Sequence, residues 1–216
     1  MKQFFLAICL IASCTTTLMA QRAQYVEAMT KQTADLDSSE TFTPELLQQK
    51  GNTFERIADA EKNQWLPYYY AAYTQVMQAL ILKDKAQIDP LADKAEANLD
   101  KAEALSPKNT EISCIRSLIA TARLTVDPMS RGVKYGMEAA SQLQQAKAYD
   151  PGNPRVYLLE GQSQLFTPEQ FGGSKTKAKV TLTLALEKFA SFKPASSIAP
   201  HWGEPYARQL LQAAQQ

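Results

Sequence analysis

The chain has 216 residues, 45% of them hydrophobic and only 8 of them glycine, which suits one domain or a short array with a real core. Its 23 Lys and Arg nearly cancel its 22 Asp and Glu, which excludes the basic excess expected of a nucleic-acid binder. The abundance of Ala, Gln, Leu, Lys and Glu is that of an all-helical protein.

The first twenty residues read as a targeting segment. Lys2 precedes an apolar run from Phe4 to Ile11 that is too short to span a bilayer, and Leu18-Met19-Ala20 precedes Gln21. This is the form of a secretory signal cleaved after Ala20. Ile11-Ala12-Ser13-Cys14 also has the form of a lipobox, so acylation of Cys14 is the competing reading. Either way the chain is expected to be exported, as a periplasmic protein or an outer-membrane lipoprotein. No later run is apolar and long enough for a membrane helix. Cys9 falls in the signal, which leaves Cys114, among Ile112, Ile115 and Leu118, as a buried helix position rather than a disulfide partner.

Gln21 to Leu36 is predicted as a first helix, broken at Asp37-Ser38-Ser39. Thr43-Pro44-Glu45 starts a second, with Thr as N-cap and Pro at the first position, running to about Lys62. Trp65 to Leu82 carries the densest aromatic run, Tyr68, Tyr69, Tyr70 and Tyr73. A helix follows from Asp89-Pro90 to Leu105, and another from Thr110 to Thr125 beyond the Ser106–Asn109 turn. Val126 to Gly132 reads as a longer connection. Gly136 to Tyr149 presents one apolar stripe, Ala139, Leu143, Ala146 and Tyr149. Asp150-Pro151-Gly152-Asn153 then turns the chain into a helix opened by Pro154. Leu165 to Ser174 is a connection, Lys175 to Phe192 a helix, Lys193 to Pro205 a Pro- and Ser-rich segment, and Glu204 to Ala214 a last helix.

Ala95, Leu99, Ala102 and Pro107 recur with the same offsets as Ala139, Leu143, Ala146 and Pro151, and again as Leu182, Leu186, Phe189 and Pro194. Three copies at near-constant period are an internal repeat. The pattern resembles the second helix of a tetratricopeptide repeat, and Tyr157 and Gly161 sit where that repeat has its aromatic and small residues in the first helix. The period exceeds the usual ~34 residues, an excess placed in the hairpin loops Lys83–Ile88, Asp127–Gly132 and Thr167–Ser174. WLPYYYAAY, DPMSRGVKYG, FTPEQFGGSKTKA and PHWG further resemble landmarks of an exported, functionally uncharacterised tetratricopeptide-repeat family of Bacteroidetes. That resemblance implies fold and compartment and no catalytic residues. Phe171 to Ala178 also resembles part of the tetratricopeptide subunit of TRAP-type transporters.

The expected architecture is thus all-α: a right-handed tetratricopeptide-like solenoid. Its divisions are a signal at 1–20, an N-terminal helical pair at 21–62, three helix pairs at 63–107, 108–151 and 152–194, and a capping segment at 195–216. His201 is the only histidine, so no metal site is expected and no partnered nucleophile is evident. Gly172-Gly173-Ser174-Lys175-Thr176 lacks phosphate-loop spacing and a preceding strand. Arg116, Arg123, Arg131, Lys134 and Tyr135, with Tyr69 and Tyr73, are the binding candidates, since first helices of such arrays line a concave groove. The expected function is non-enzymatic and needs no cofactor: a scaffold whose groove holds a protein or peptide. The alternative is a transporter-associated subunit holding a small ligand in an enclosed pocket near Tyr69, Tyr135 and Phe171.

Overall fold

A computed structural model describes residues 22–37 and 41–216. The signal segment, Cys9 and Cys14 lie outside the described residues, as do Ser38 and Ser39 of the first predicted break. Among the described residues all regular structure is helical. The α-helices are α1 (22–33), α2 (Pro44–Ala60), α3 (Trp65–Ile81), α4 (Ile88–Leu105), α5 (Thr110–Val126), α6 (Pro128–Tyr149), α7 (Pro154–Phe166), α8 (Lys175–Ser191) and α9 (Glu204–Gln215). Short 3-10 turns lie at Lys85–Gln87 and Glu169–Phe171. No described helix is long and apolar enough to cross a membrane.

Local chemistry accounts for the helix starts. Thr43, Asn109, Asp127, Asn153 and Ser174 each accept a backbone N–H of the first turn through the side chain, and proline opens α2, α6 and α7. These caps satisfy N–H groups that have no intrahelical partner. The expected connection at 126–132 is not a loop. Asp127 alone joins α5 to α6, because its carboxylate accepts from Met129 and Ser130 N–H and Pro128 has the fixed φ of a first helical residue. Here the extra length of the repeat is helix, not hairpin.

Successive helices pack on one another, and α3, α5, α7 and α9 also touch in series. This inner row carries most of the core: Tyr69, Tyr70, Ala72, Ile112, Ile115, Ile119 and Leu158 are fully buried. The repeat positions face it. Ala95, Leu99, Ala102, Ala146 and Leu182 have no exposed surface, Leu143 and Phe189 are buried, and Ala139 and Leu186 are half-buried; a Cβ on Gly161 would stand 2.6 Å from Leu182 Cγ. So Gly161 sets the α7–α8 spacing, as its place in the repeat predicts. By contrast α6 buries only Leu143 and Ala146 of its 22 residues. Its N-terminal half leans on α5, where Gly136 faces Leu124, and α6 meets α7 sparsely.

Candidate functional site

The chain's own C-terminal segment lies across the inner row, against α3 and the start of α7. Tyr70 Oη donates to the Ile198 carbonyl at 3.0 Å. His201 Nε2 lies 3.1 Å from Asp37 Oδ1, while its Nδ1 lies 2.9 Å from the Ala199 carbonyl. Trp202 stacks on Tyr73 at 4.8 Å and donates its indole N–H to Tyr69 Oη at 2.9 Å. Behind it, Arg155 is wholly buried and forks onto Glu111, with Nε to Oε2 at 2.7 Å and Nη2 to Oε1 at 2.6 Å. Arg155 Nη1 also donates to the Trp202 carbonyl, and Asn153 Nδ2 donates to Glu111. A buried charge pair survives only with such full hydrogen bonding. Burial alone would depress the Arg155 pKa; the adjacent Glu111 carboxylate outweighs it and holds the guanidinium charged.

Tyr69 and Tyr73 therefore sit in the interior. Burial, reinforced at Tyr69 by the Glu111 charge, pushes both phenols far above their ordinary range. Phe171, expected beside them in a pocket, is instead on the surface. The arginine candidates are already paired with carboxylates of α4. Arg116 binds Glu96 and reaches Asp100 at 2.8 Å and Glu103 at 2.7 Å. Arg123 reaches Asp93 at 2.8 Å, and Arg131 reaches Asp89 at 2.8 Å. Tyr135 is half-buried beneath the Lys134 ammonium. The three arginines are thus neutralised internally, and of the basic candidates Lys134 alone is exposed without a salt bridge.

The unpartnered surface lies elsewhere. Among the described residues nine large hydrophobics are exposed, and seven of them fall between Met129 and Leu184. Met129, Val133 and Met137 form one stripe on α6 at i, i+4 and i+8, exposed by 90%, 73% and 70%. Phe166 ends α7, Phe171 closes the 3-10 turn, and Val180 and Leu184 share a face of α8. Phe166 and Met137 stand equally far along their helices from the Asp150–Asn153 turn. Gln142 and Gln164, on the same two helices, each bury a side-chain oxygen without a hydrogen-bond partner. Lys134, Lys175, Lys177 and Lys179 are exposed in the same part of the chain and form no salt bridge. Exposed apolar side chains gathered in one part of a chain are the kind of surface that a protein, a membrane or a ligand covers. In sequence it was hidden because the Met129–Gly132 stretch read as a loop.

Of the groups that commonly bind haem iron, His201 and Cys114 are committed or buried, whereas the Met129 and Met137 thioethers are exposed. Both nitrogens of His201 are engaged. Burial raises the Cys114 thiol well above its ordinary range, so it stays protonated. Among the described residues no three His, Cys, Asp or Glu side chains gather as a metal site.

Among the described residues the molecule is thus all-helical, with its C-terminal segment against the inner row and large apolar side chains exposed on α6, α7 and α8. Comparison with solved structures gives the family. The chain is 39% identical to the HusA haemophore from Porphyromonas gingivalis, with a TM-score of 0.80, over 88% of this chain and 92% of that one. It belongs to the HusA haemophore family. No protein-family model matches the chain, and no curated protein matches it. This finding overturns the expected scaffold function and the expected protein or peptide partner: the relative is a haemophore, and the groove such a partner would need holds Ile198 and Trp202. The expected relationship to Bacteroidetes proteins stands, since Porphyromonas belongs to that phylum, and the family it leads to is the haemophore's.

Proposed function

We propose that this protein is an exported, non-enzymatic porphyrin carrier that binds haem on the outer apolar face of α6 and the α7–α8 turn. The observation that carries the reading is the concentration of exposed apolar side chains between Met129 and Leu184 in a chain related to a haemophore. A planar macrocycle lies against Met129, Val133 and Met137 on one side and Phe166 and Phe171 on the other. Lys134 and Lys175 meet its carboxylates. Because His201, Cys114 and the interior tyrosines are committed or buried, recognition runs chiefly through the macrocycle and its acid groups, and an iron contact is left to the exposed Met129 and Met137 thioethers. The helices are read as a right-handed tetratricopeptide-like solenoid with pairs at 63–107, 108–151 and 152–194, supported by the serial contacts of α3, α5, α7 and α9 and by the buried repeat positions.

Titration of the mature chain with haem and with metal-free protoporphyrin tests this. Both bind with affinities within about tenfold of each other. Val133→Asp and Phe171→Asp each weaken binding by about tenfold or more, since burying one such side chain contributes ~1.5–3 kcal/mol and ~1.4 kcal/mol is a factor of ten. Failure to bind either porphyrin, or Asp variants with wild-type affinity, sinks the proposal.

A further inference from the structure

The chain has six methionines, at positions 1, 19, 29, 77, 129 and 137. Met1 and Met19 lie outside the described residues. Met29 is fully buried and Met77 packs against the core. Met129 and Met137 differ sharply, at 90% and 70% exposure, and they lie on the one stripe of α6 that nothing covers. Eight residues separate them, about 12 Å along the helix axis, so both lie within the footprint of one flat ligand. A thioether is apolar and adaptable, but its sulfur is open to two-electron oxidation. The only two methionines freely reachable from solvent among the described residues are therefore both in the proposed porphyrin face.

We infer that Met129 and Met137 form an oxidation-sensitive pair whose conversion to sulfoxides by a peroxide turns the porphyrin face polar and releases the ligand. The inference rests on the porphyrin-binding reading. In the step, the sulfur lone pair attacks one peroxide oxygen as the O–O bond breaks. An S–O bond forms, the thioether is oxidised by two electrons, and hydrogen peroxide is reduced to water. The product places a strong dipole and acceptor where the macrocycle would lie, and an apolar ligand cannot repay the hydration this group would lose. Reduction by a methionine sulfoxide reductase regenerates the thioether, so the change is reversible. Leu124 beneath Gly136 and the buried Leu143 and Ala146 hold the helix in place, so oxidation changes the face without unfolding it.

The test treats the mature chain with hydrogen peroxide, removes the peroxide, and then titrates metal-free protoporphyrin, which cannot itself catalyse further oxidation through iron. Peptide mass spectrometry places one added oxygen on Met129 and on Met137, with Met29 and Met77 unmodified. Affinity falls about tenfold, the helical circular dichroism is retained, and the reductase restores binding. In a Met129→Leu/Met137→Leu protein the affinity before and after peroxide is the same, each protein being compared with itself. Unchanged affinity of the doubly oxidised wild type, or an equal loss in the double variant, overturns the inference while leaving porphyrin binding intact. A wild type that binds no porphyrin before treatment removes the porphyrin-binding reading itself, and this inference with it.

Discussion

The most consequential single residue is Arg155. Its position two residues after Asn153, at a helix start, resembles that of any solvated first-turn residue, yet it has no exposed surface. What makes this possible lies 44 residues earlier, in the Glu111 carboxylate, and 47 residues later, in the Trp202 carbonyl. Pairings at that distance leave no local trace, so this cluster could not be read from the sequence. Glu111→Gln keeps the shape and removes the charge, stranding a buried guanidinium. Loss of one partner of a buried pair costs about 3–5 kcal/mol, and urea unfolding of the variant is expected to show a destabilisation of that size. Gly203 is a second sensitive position. Its φ is 114°, and a Cβ there would stand 2.8 Å from Leu158 Cδ2 and 3.1 Å from Phe189 Cζ. Gly203→Ala adds backbone strain to overlap and lowers the melting temperature, whereas Gly172→Ala, with a similar φ but open space around it, costs less. Equal melting temperatures for the two variants would show that the overlap is relieved at no cost.

At the scale of elements the sequence was readable wherever a cap, a proline or an apolar period marked a boundary. The nine α-helices among the described residues lie within a few residues of where those signals place them, except the start of α6. There the Asp127-Pro128 pair read as the edge of a loop, although the same two residues form an N-cap and first position. Contacts between elements follow less directly. Glu55 of α2 takes Lys94 of α4 at 2.8 Å, Gln75 of α3 at 2.9 Å and Asn98 of α4 at 3.2 Å. Burial works against its ionised form, but the Lys94 and Asn98 hydrogen bonds, with the Lys94 charge and Gln75, outweigh it and hold the carboxyl below its ordinary value of 4.5. A carboxyl depressed in the folded state stabilises it above the unfolded pKa, and this contribution disappears as pH falls through the folded one. The stability difference between wild type and Glu55→Gln is therefore expected to be constant above about pH 4.5 and to shrink below it. Denaturant midpoints measured across that range check the sign: a difference that grows on acidification would mean the network does not hold the charge.

For the whole molecule, the decisive feature is which face is free. A repeat of helix pairs leads one to expect a concave groove lined by α3, α5 and α7, and the aromatic and basic residues of those helices then look like a binding site. The chain instead returns from α8 across this row, so that Trp202 meets Tyr69 and Tyr73, 133 residues earlier in the case of the Tyr69 hydrogen bond. On the porphyrin-binding reading proposed above, the ligand takes the outer side of α6 and the α7–α8 turn. Trp202→Phe separates the two geometries. It keeps a ring over Tyr73 and removes the indole donor to Tyr69, so it costs stability, on the order of 1 kcal/mol for one buried hydrogen bond and somewhat more if the Tyr69 oxygen is left unmet. It leaves Met129, Val133, Met137, Phe166 and Phe171 where they are. Protoporphyrin titration under conditions where the variant is fully folded should then give wild-type affinity, alongside a urea midpoint that has moved down. If the folded variant instead lost binding tenfold, the ligand would have to lie against the inner row, the C-terminal segment would be part of its pocket rather than a filling, and the outer apolar face would need another occupant.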